Sequence, residues 1–159
     1  MMEKQKQSVR IRRGTAADLP RIFELIKGLA EFEKAPEKVT NSPGQMAREQ
    51  DYFRFIVAEI PETGYIAGFA LYYPVYYTWV GKSLYIDDIY VEPAYRGQGI
   101  GTLLLETVLD YAKREGMHRV RWQVLNWNTP AIEFYKKYGV ELDDEWINCD
   151  WYPEKSRGK

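Results

Sequence analysis

The chain has 159 residues, of which 45% are hydrophobic, and its 22 Lys and Arg nearly balance its 23 Asp and Glu. This length is typical of one globular domain, which we place at residues 1–159 with a core at about 8–152, and it allows burial of roughly 70% of the unfolded surface. The net charge of -1 and the lack of a long apolar run argue against nucleic-acid and membrane partners.

The amino-terminal part of the chain predicts a strand and then a helix. Residues 1–14 are charged and lack the apolar stretch of a secretory signal, so we expect a soluble cytoplasmic protein. Within them, residues 9–12 alternate as a short strand does. Thr15, followed three residues later by Asp18, is typical of a capping box, and apolar residues then recur at helical spacing over 19–30.

The middle of the chain predicts a strand meander. Pro and Gly residues make 34–44 a loop, and a short helix follows at 45–53. Residues 55–60, 65–74 and 83–91 are rich in β-branched and aromatic side chains and are separated by turn sequences, which indicates three consecutive strands.

The carboxyl-terminal part predicts two more helices and two more strands. A strongly periodic helix begins after Gly99, a strand follows at 120–125, a helix begins at Asn128, and a last strand covers 146–152. The element order β-α-(α)-β-β-β-α-β-α-β predicts an α/β fold, α+β in some schemes, with a mixed sheet and helices on both faces.

The junction between the strand at 85–91 and the helix after Gly99 has the properties of an anion site. Arg96-Gly97-Gln98-Gly99-Ile100-Gly101 brings three glycines to a helix start, where unpaired N–H groups attract negative oxygen. Thr102 and Leu103 stand where a Walker loop requires Lys and Ser or Thr, and Thr102 occupies the third glycine position of the dinucleotide fingerprint. A turn that only packs the strand on the helix is the alternative.

This motif resembles the acetyl-coenzyme A loop of the GNAT superfamily of N-acetyltransferases, and the likeness extends over residues 9–151. The resemblance implies a mostly antiparallel, splayed sheet of six to seven strands flanked by about four helices, and a homodimer. Further segments are similar to the diamine and polyamine acetyltransferase subgroup, including its thialysine-acetylating members: residues 29–34, 71–73, 78–79, 85–91 and 127–135.

The resemblance also implies which residues contact the cofactor, acetyl-CoA. The pantetheine arm would lie between the strand ending near Val91 and the strand ending near Leu125. The implied cofactor contacts are the backbone of Ile89, Tyr90 and Val91 for the pantetheine, Arg96, Gly97, Gln98, Gly99, Ile100, Gly101 and Thr102 for the pyrophosphate, and Asn128, Thr129, Pro130, Ala131 and Tyr135 on the other side.

Acetyl transfer to an amine requires a group that removes a proton. An alkylammonium has a pKa of about 10.4, so roughly one part in a few thousand is neutral at pH 7. Asp87 and Asp88 lie on a predicted central strand, where carboxylates are unusual, and strand alternation lets only one of them reach a pocket unless a bulge turns both. The resemblance favours Asp87, acting directly or through water. The alternative is one aspartate in solvent and the other paired with a base.

The departing thiolate needs a proton donor, and a phenol can serve. The resemblance points to Tyr135, whereas periodicity alone makes it a core residue of its helix.

Residues on the acceptor side also follow from the resemblance. Glu33 would pair with a distant ammonium of a diamine. Phe32 replaces the Tyr usual in the polyamine enzymes and resembles the thialysine-type members, which argues against spermidine or spermine as the preferred substrate. The residues that match acceptor-side positions on the later strand are Arg121, Trp122 and Gln123. Arg121 would suit a carboxylate such as that of an amino acid; a packed Phe32, a solvated Glu33 and a surface Arg121 are the alternatives.

The sequence thus predicts an acetyl-CoA-dependent N-acetyltransferase for a diamine, a polyamine or a thialysine- or lysine-like amino acid. We expect direct transfer in a ternary complex, because the single Cys149 lies in a late strand, and no metal, because one Cys and the single His118 do not make a typical zinc site. The alternatives are acetylation of a protein amino terminus or lysine, and a non-catalytic acetyl-CoA-binding module.

Overall fold

The computed structural model describes residues 8–154 and contains, within them, five β-strands and four α-helices. Residues 1–7 and 155–159 of the predicted domain lie outside this range. The elements, in chain order, are β1 Arg10–Arg13, α1 Leu19–Phe32, α2 Pro43–Arg48, β2 Arg54–Ile60, β3 Tyr65–Tyr77, β4 Gly81–Val91, α3 Ile100–Arg114, β5 Val120–Arg121 and α4 Thr129–Lys136. No helix within 8–154 has both the length and the apolar character needed to cross a bilayer.

The strands form one mixed sheet in the order β1-β2-β3-β4-β5, antiparallel except for the parallel pair β4 and β5. Alternation along the strands separates two apolar faces. Phe55, Val57 and Leu71 pack with Leu19 and the rest of the apolar stripe of α1. On β3, the next residue, Tyr72, instead contacts Tyr111 of α3, with ring centroids 5.5 Å apart. The prediction of an α/β fold with helices on both faces is confirmed.

The chain divides into two compact units, which are described separately. In the structure the first covers residues 8–123 and contains the whole sheet with α1, α2 and α3. The second covers 124–154 and contains α4. That residues 1–159 form a single domain stays a prediction.

The first helix begins as the capping box predicted. The backbone N–H of Thr15 donates to Oδ2 of Asp18 at 2.8 Å, and a single 3₁₀ turn leads into α1. Asp18 also accepts two hydrogen bonds from the guanidinium of Arg12, each 2.9 Å long, and the Nε of Arg12 donates to Glu59 at 2.7 Å. This network ties the start of α1 to β1 and β2.

The expected number of strands was wrong: residues 8–154 contain five strands and not six or seven. The strand predicted at 120–125 is limited to Val120 and Arg121, which pair with Leu84 and Tyr85 before the chain leaves β4. No strand forms at 146–152, where Asn148 and Asp150 have poor β propensity and the large apolar side chains are exposed rather than alternately buried.

Two other boundaries differ from prediction. β3 continues past Pro74 to Tyr77. Pro74 is tolerated there because β2 pairs with β3 only as far as Tyr72, so the missing N–H of Pro74 interrupts no ladder on that side. The helix predicted at 45–53 begins two residues earlier, where the Ser42 hydroxyl accepts from the Gln45 N–H at 3.1 Å, and it gives way to a 3₁₀ turn at Gln50–Tyr52.

Candidate active site

The predicted phosphate loop forms an open amino-terminal end of α3. Gly99 is the N-cap residue with φ 83°, and Gly97 has φ 79°; both values favour glycine. A Cβ atom added at either position would meet nothing within 4 Å, so the loop backbone faces open space. The first intrahelical bond is donated by Leu103 to Gly99, which leaves the N–H groups of residues 100–102 without intrahelical acceptors, as at any helix start.

A cavity of about 570 Å³ borders this helix start. Its lining residues are Ser8, Val9, Gln98, Gly99, Ile100, Thr102, Leu103 and Glu106. The cavity includes four of the predicted pyrophosphate contacts but neither of the candidate aspartates. It therefore marks space beside the helix start and not the place where chemistry is expected.

The loop is anchored by a hydrogen-bonded cluster that follows β4. Glu92 accepts from the Arg21 guanidinium at 2.7 Å and from the Tyr65 hydroxyl, and Arg21 also donates to the Ile66 carbonyl at 3.0 Å. The ring of Tyr95 lies 5.7 Å from that of Tyr65. These contacts fix the segment that leads into the loop against α1 and β3.

Asp87 is the extra residue of a β-bulge. Leu71 of β3 is paired with Asp88 and Tyr72 with Ile86, so Asp87 has no cross-strand partner. A bulge interrupts strand alternation and lets neighbouring side chains serve one site. Asp88 is the register partner of Leu71, which shares a face of β3 with Tyr73, and the Tyr73 hydroxyl donates to Asp87. Both aspartates therefore lie near that face of the sheet.

Glu33, Asp87 and Asp88 form a cluster that we call the acidic pole. Desolvation, followed by the charges of Asp87 and Glu33, raises the pKa of Asp88 to about 7. Desolvation also raises the pKa of Asp87, against a hydrogen bond from Tyr73 that lowers it, and desolvation and then Asp87 raise the pKa of Glu33. The Asp87 side chain is exposed and the Asp88 side chain is half-buried. A carboxyl that exchanges its proton near neutral pH is suited to act as a base.

Two tyrosines that the sequence did not single out as site residues lie beside the acidic pole. The Tyr73 hydroxyl donates to Oδ1 of Asp87 at 3.3 Å, and the Tyr73 ring stacks on that of Tyr85 with centroids 5.6 Å apart. Desolvation and then the Asp87 charge raise the pKa of both phenols. The sequence offered one signal for Tyr85, which lies two residues before Asp87 on the same strand. It offered none for Tyr73, because the pairing of Tyr73 with Tyr85 depends on the register of β3 against β4.

Arg96 connects the loop to the predicted acceptor side. Its Nε donates to the Val91 carbonyl at 2.8 Å, and its guanidinium carbon lies 5.2 Å from the ring centroid of Phe32 and 5.3 Å from that of Tyr90. Phe32 is the last residue of α1 and immediately precedes Glu33. The structure therefore brings Phe32, Glu33, Asp87, Asp88 and Arg96 into one region.

The β4 strand has a free edge next to that region. Ile89, Tyr90 and Val91 pair with β3 on one side, while β5 pairs with β4 only at Leu84 and Tyr85. Among residues 8–154, no strand covers the other edge of β4 beyond Tyr85. That these backbone groups contact a pantetheine stays a prediction.

Arg121 lies further along the same sheet. It is the register partner of Tyr85, and its guanidinium carbon is 5.0 Å from the ring centroid of Tyr77. The guanidinium carbon of Arg119 lies 4.3 Å from the same centroid. Trp122 and Gln123 follow β5 outside its ladder.

The other predicted cofactor contacts belong to the unit at 124–154. Asn128 caps α4 by accepting from the Ala131 N–H at 3.4 Å, with Thr129 and Pro130 in the first turn. The Phe134 ring contacts that of Tyr135, with centroids 5.5 Å apart. Asn128, Thr129, Pro130 and Ala131 thus lie at the start of α4 and Tyr135 lies in its last turn, and their roles toward a cofactor stay predictions. Among residues 8–154, no group of three or more His, Cys, Asp or Glu side chains has an arrangement that could hold a metal ion.

Comparison with known proteins identifies the family and the fold. A sequence model described as the acetyltransferase (GNAT) family matches residues 19–140. The chain is 40% identical over 144 residues to thialysine N-epsilon-acetyltransferase of Mus musculus, covering 84% of this chain and 85% of that protein. It is 41% identical over 85 residues to L-ornithine N5-acetyltransferase NATA1 of Arabidopsis thaliana, covering 53% of this chain and 37% of that one.

Among solved structures, the fold is similar to that of the aminoglycoside acetyltransferase meta-AAC0020 from an uncultured soil metagenomic sample. The TM-score is 0.73 and the sequence identity 20%, over 91% of this chain and 95% of the other. At this identity the likeness establishes the fold.

Proposed function

Because this chain belongs to the acetyltransferase (GNAT) family and is an N-acetyltransferase, we propose that it transfers the acetyl group of acetyl-CoA to a primary amine of a small molecule in a ternary complex. Diamines, polyamines and thialysine- or lysine-like amino acids are the proposed acceptors. The observation that carries the proposal is the acidic pole, whose Glu33 directly follows Phe32, the residue whose ring lies against the guanidinium of Arg96. A cytoplasmic location and a homodimer complete it.

The loop residues fit a coenzyme A diphosphate. Gly97 and Gly99 leave room for close approach, and residues 100–102 direct N–H groups toward an anion at the start of a helix. The free edge of β4 at Ile89, Tyr90 and Val91 offers backbone groups to the pantetheine. When bound, acetyl-CoA supplies an activated acyl thioester.

The acidic pole attracts the ammonium form of the acceptor and removes its proton. A bound cation lowers the pKa of nearby carboxyl groups, so Asp88, with a pKa of about 7 in the free protein, becomes ionised as the acceptor binds. Asp87 takes the amine proton directly or through water, and Glu33 pairs with a second ammonium of a diamine. Tyr135 donates the proton that the leaving thiolate requires.

Release of free thiol from acetyl-CoA tests this function over a panel of diamines, polyamines, lysine analogues, peptides and protein amino termini. We expect turnover with one of the small amines. Turnover only with peptides or protein amino termini would show that the acceptor is a protein or peptide and not a small amine. Coenzyme binding without thiol release on any acceptor would instead indicate a non-catalytic binding module.

The Tyr135→Phe variant tests the proton donor. It keeps the ring but removes the hydroxyl, so kcat should fall roughly 10-fold or more while the KM for acetyl-CoA stays nearly constant. Tyr52→Phe, at a tyrosine that is 81% exposed, is the matched control and should retain full kcat. An unchanged kcat for Tyr135→Phe would remove the assignment.

A further inference from the structure

Two exposed arginines lie beside the buried Tyr72, on the face of the sheet that packs against α3. Arg54 of β2 is the register partner of Tyr72, and paired residues point to the same side. Arg13 of β1 is the register partner of Ile56, which lies two residues after Arg54 on β2 and therefore shares its face. Both arginine side chains thus leave the sheet on the side of the Tyr72 ring.

α3 brings a third arginine to the same place. The Tyr72 ring contacts that of Tyr111, with centroids 5.5 Å apart, and Arg114 follows Tyr111 by three residues, which places both on one side of the helix. Burial and then Tyr111 raise the pKa of Tyr72, whereas the charges of Arg13, Arg54 and Arg114 lower it, in agreement with this placement. We call these three arginines the arginine cluster.

The arginine cluster has no negative partner in the described part of the chain. Within residues 8–154, none of its guanidinium groups belongs to an ion pair. The Tyr72 side chain is 5% exposed, and its hydroxyl makes no hydrogen bond with these residues. Like charges held close together repel each other, and an anion among them would relieve that repulsion. Since the net charge of the chain is -1, general basicity does not explain the cluster.

The arginine cluster is separate from the phosphate loop. Gly99 caps the start of α3, and Arg114 is the last of the 15 residues of this helix. A helix of that length extends about 22 Å. An anion held by the cluster would therefore not occupy the place proposed for the coenzyme A diphosphate.

The donors of the arginine cluster match a phosphate group better than a carboxylate. A guanidinium presents paired N–H donors that bind two oxygens of a phosphate at once. A phosphate monoester has three terminal oxygens and a charge of about −1.5 to −2 at pH 7. A carboxylate has two oxygens and a single charge, so it would leave part of three guanidinium groups and a hydroxyl without an acceptor.

We infer that the arginine cluster and the Tyr72 hydroxyl bind the phosphate group of a small soluble molecule. The donors surround one hydroxyl and are not spread along a surface, which suits a single phosphate group rather than a membrane or a nucleic-acid backbone. The inference goes beyond the proposed function and does not depend on it.

Calorimetric titration with inorganic phosphate tests the site. The protein is first saturated with coenzyme A, so that the phosphate loop is occupied and further phosphate binding belongs to another site. We expect saturable binding of phosphate, and binding of acetate at the same ionic strength that is about 10-fold weaker or more. The absence of saturable phosphate binding would overturn the inference. This measurement uses the unaltered protein.

Variants locate the phosphate. Arg54→Gln and Arg13→Gln should each weaken phosphate binding by about 10-fold or more, and Tyr72→Phe by about 3-fold, because a charged hydrogen bond contributes more than a neutral one. Arg48→Gln, at an exposed arginine in the last turn of α2, changes the net charge equally and is the matched control. A loss in Arg48→Gln equal to that in Arg54→Gln would show nonspecific attraction and reject the site.

The remaining outcomes identify the source of the phosphate and separate this inference from the proposed function. Cosedimentation with phosphatidylcholine vesicles that contain phosphatidic acid should be the same for the wild type and Arg54→Gln. Vesicle binding that depends on Arg54 and is not displaced by free phosphate would assign the phosphate to a lipid and overturn the soluble ligand. Failure of coenzyme A to bind would reject the proposed function, whereas phosphate binding that depends on Arg54 would still support this inference.

Discussion

At the bulge in β4, desolvation and then the charges of Asp87 and Glu33 make ionisation of Asp88 more difficult. Asp88 is half-buried and has Asp87 and Glu33 as neighbours, so its pKa rises to about 7. The cost of holding three carboxyl groups together is reduced while a proton remains on one of them. Binding of an ammonium reverses this balance, which couples acceptor binding to proton release.

Replacement of Asp87 by Asn should have two effects. It should lower kcat about 10-fold or more with the KM for acetyl-CoA nearly unchanged, because the proposed proton acceptor is lost. It should also move the acidic limb of the kcat/KM profile to lower pH, because removal of the Asp87 charge lowers the pKa of Asp88. Steady-state kinetics over the pH range of about 5 to 9 measures both effects.

Asp110→Asn is the control for this experiment, since Asp110 is exposed on α3. It should change neither kcat nor the acidic limb. A wild-type kcat for Asp87→Asn would contradict the proposed role. A shift of the acidic limb to higher pH would contradict the electrostatic coupling of the two aspartates.

Replacement of Tyr73 by Phe should shift the limb in the opposite direction. The Tyr73 hydroxyl donates to Asp87 at 3.3 Å and lowers the pKa of that carboxyl, so its removal should raise the pKa and move the acidic limb to higher pH. The same kinetic profile measures the shift. Tyr76→Phe, at a tyrosine that is 74% exposed on the same strand, should leave the limb in place. A downward shift in Tyr73→Phe would show that the hydrogen bond does not stabilise the charged form.

Among the elements, those with long and uninterrupted periodicity were predicted well. The helix after Gly99 and the strands of the meander are long enough for their own side chains to define a buried face. β5 could not be bounded from sequence, because its length depends on where the chain separates from β4. From the sequence, a bulge near Asp87 was only one of two possibilities, because its position is defined by the register of β4 against Leu71 and Tyr72. Tyr73 was missed for the same reason.

The start of α3 gives a prediction at the scale of the element. Gly99 has φ 83° and open space around it, so Gly99→Ala introduces a left-handed residue without a steric clash. The strain costs about 1–2 kcal/mol locally and should shift the loop, raising the KM for acetyl-CoA about 10-fold with a smaller effect on the KM of the amine. Initial-rate kinetics with both substrates measures the two constants.

Gly64→Ala separates strain from ligand binding. Gly64 has φ 74° in the turn between β2 and β3, and a Cβ there also meets nothing within 4 Å. Thermal melting should show a similar loss of stability for both variants, whereas only Gly99→Ala should raise the KM for acetyl-CoA. Equal KM values in the two variants would mean that the helix start does not bind the diphosphate.

Across the whole molecule, two groups of carboxyls make stability depend on pH in opposite ways. Hydrogen bonds from Arg12 lower the pKa of Asp18 and of Glu59, so the stability that these carboxylates provide is lost as pH falls below their ordinary values. The carboxyl groups of the acidic pole have raised pKa values, so the native protein retains protons on them that the unfolded chain releases. Stability should be greatest between these two regimes, in mildly acidic solution.

Asp88→Asn should remove the decline on the neutral side. The unfolded chain releases the Asp88 proton near the ordinary pKa of 3.8, whereas the native state retains it up to about 7, so wild-type stability falls as pH rises between these values. The variant cannot ionise, and at pH 8 its Tm should exceed that of the wild type by about 3 °C or more, with little difference near pH 4. Melting curves followed by circular dichroism across this range measure the difference. A gain of the same size at both pH values would point to improved packing. A gain confined to neutral pH, accompanied by lower activity, would show that the protein sacrifices stability to keep an ionisable group at its acceptor site.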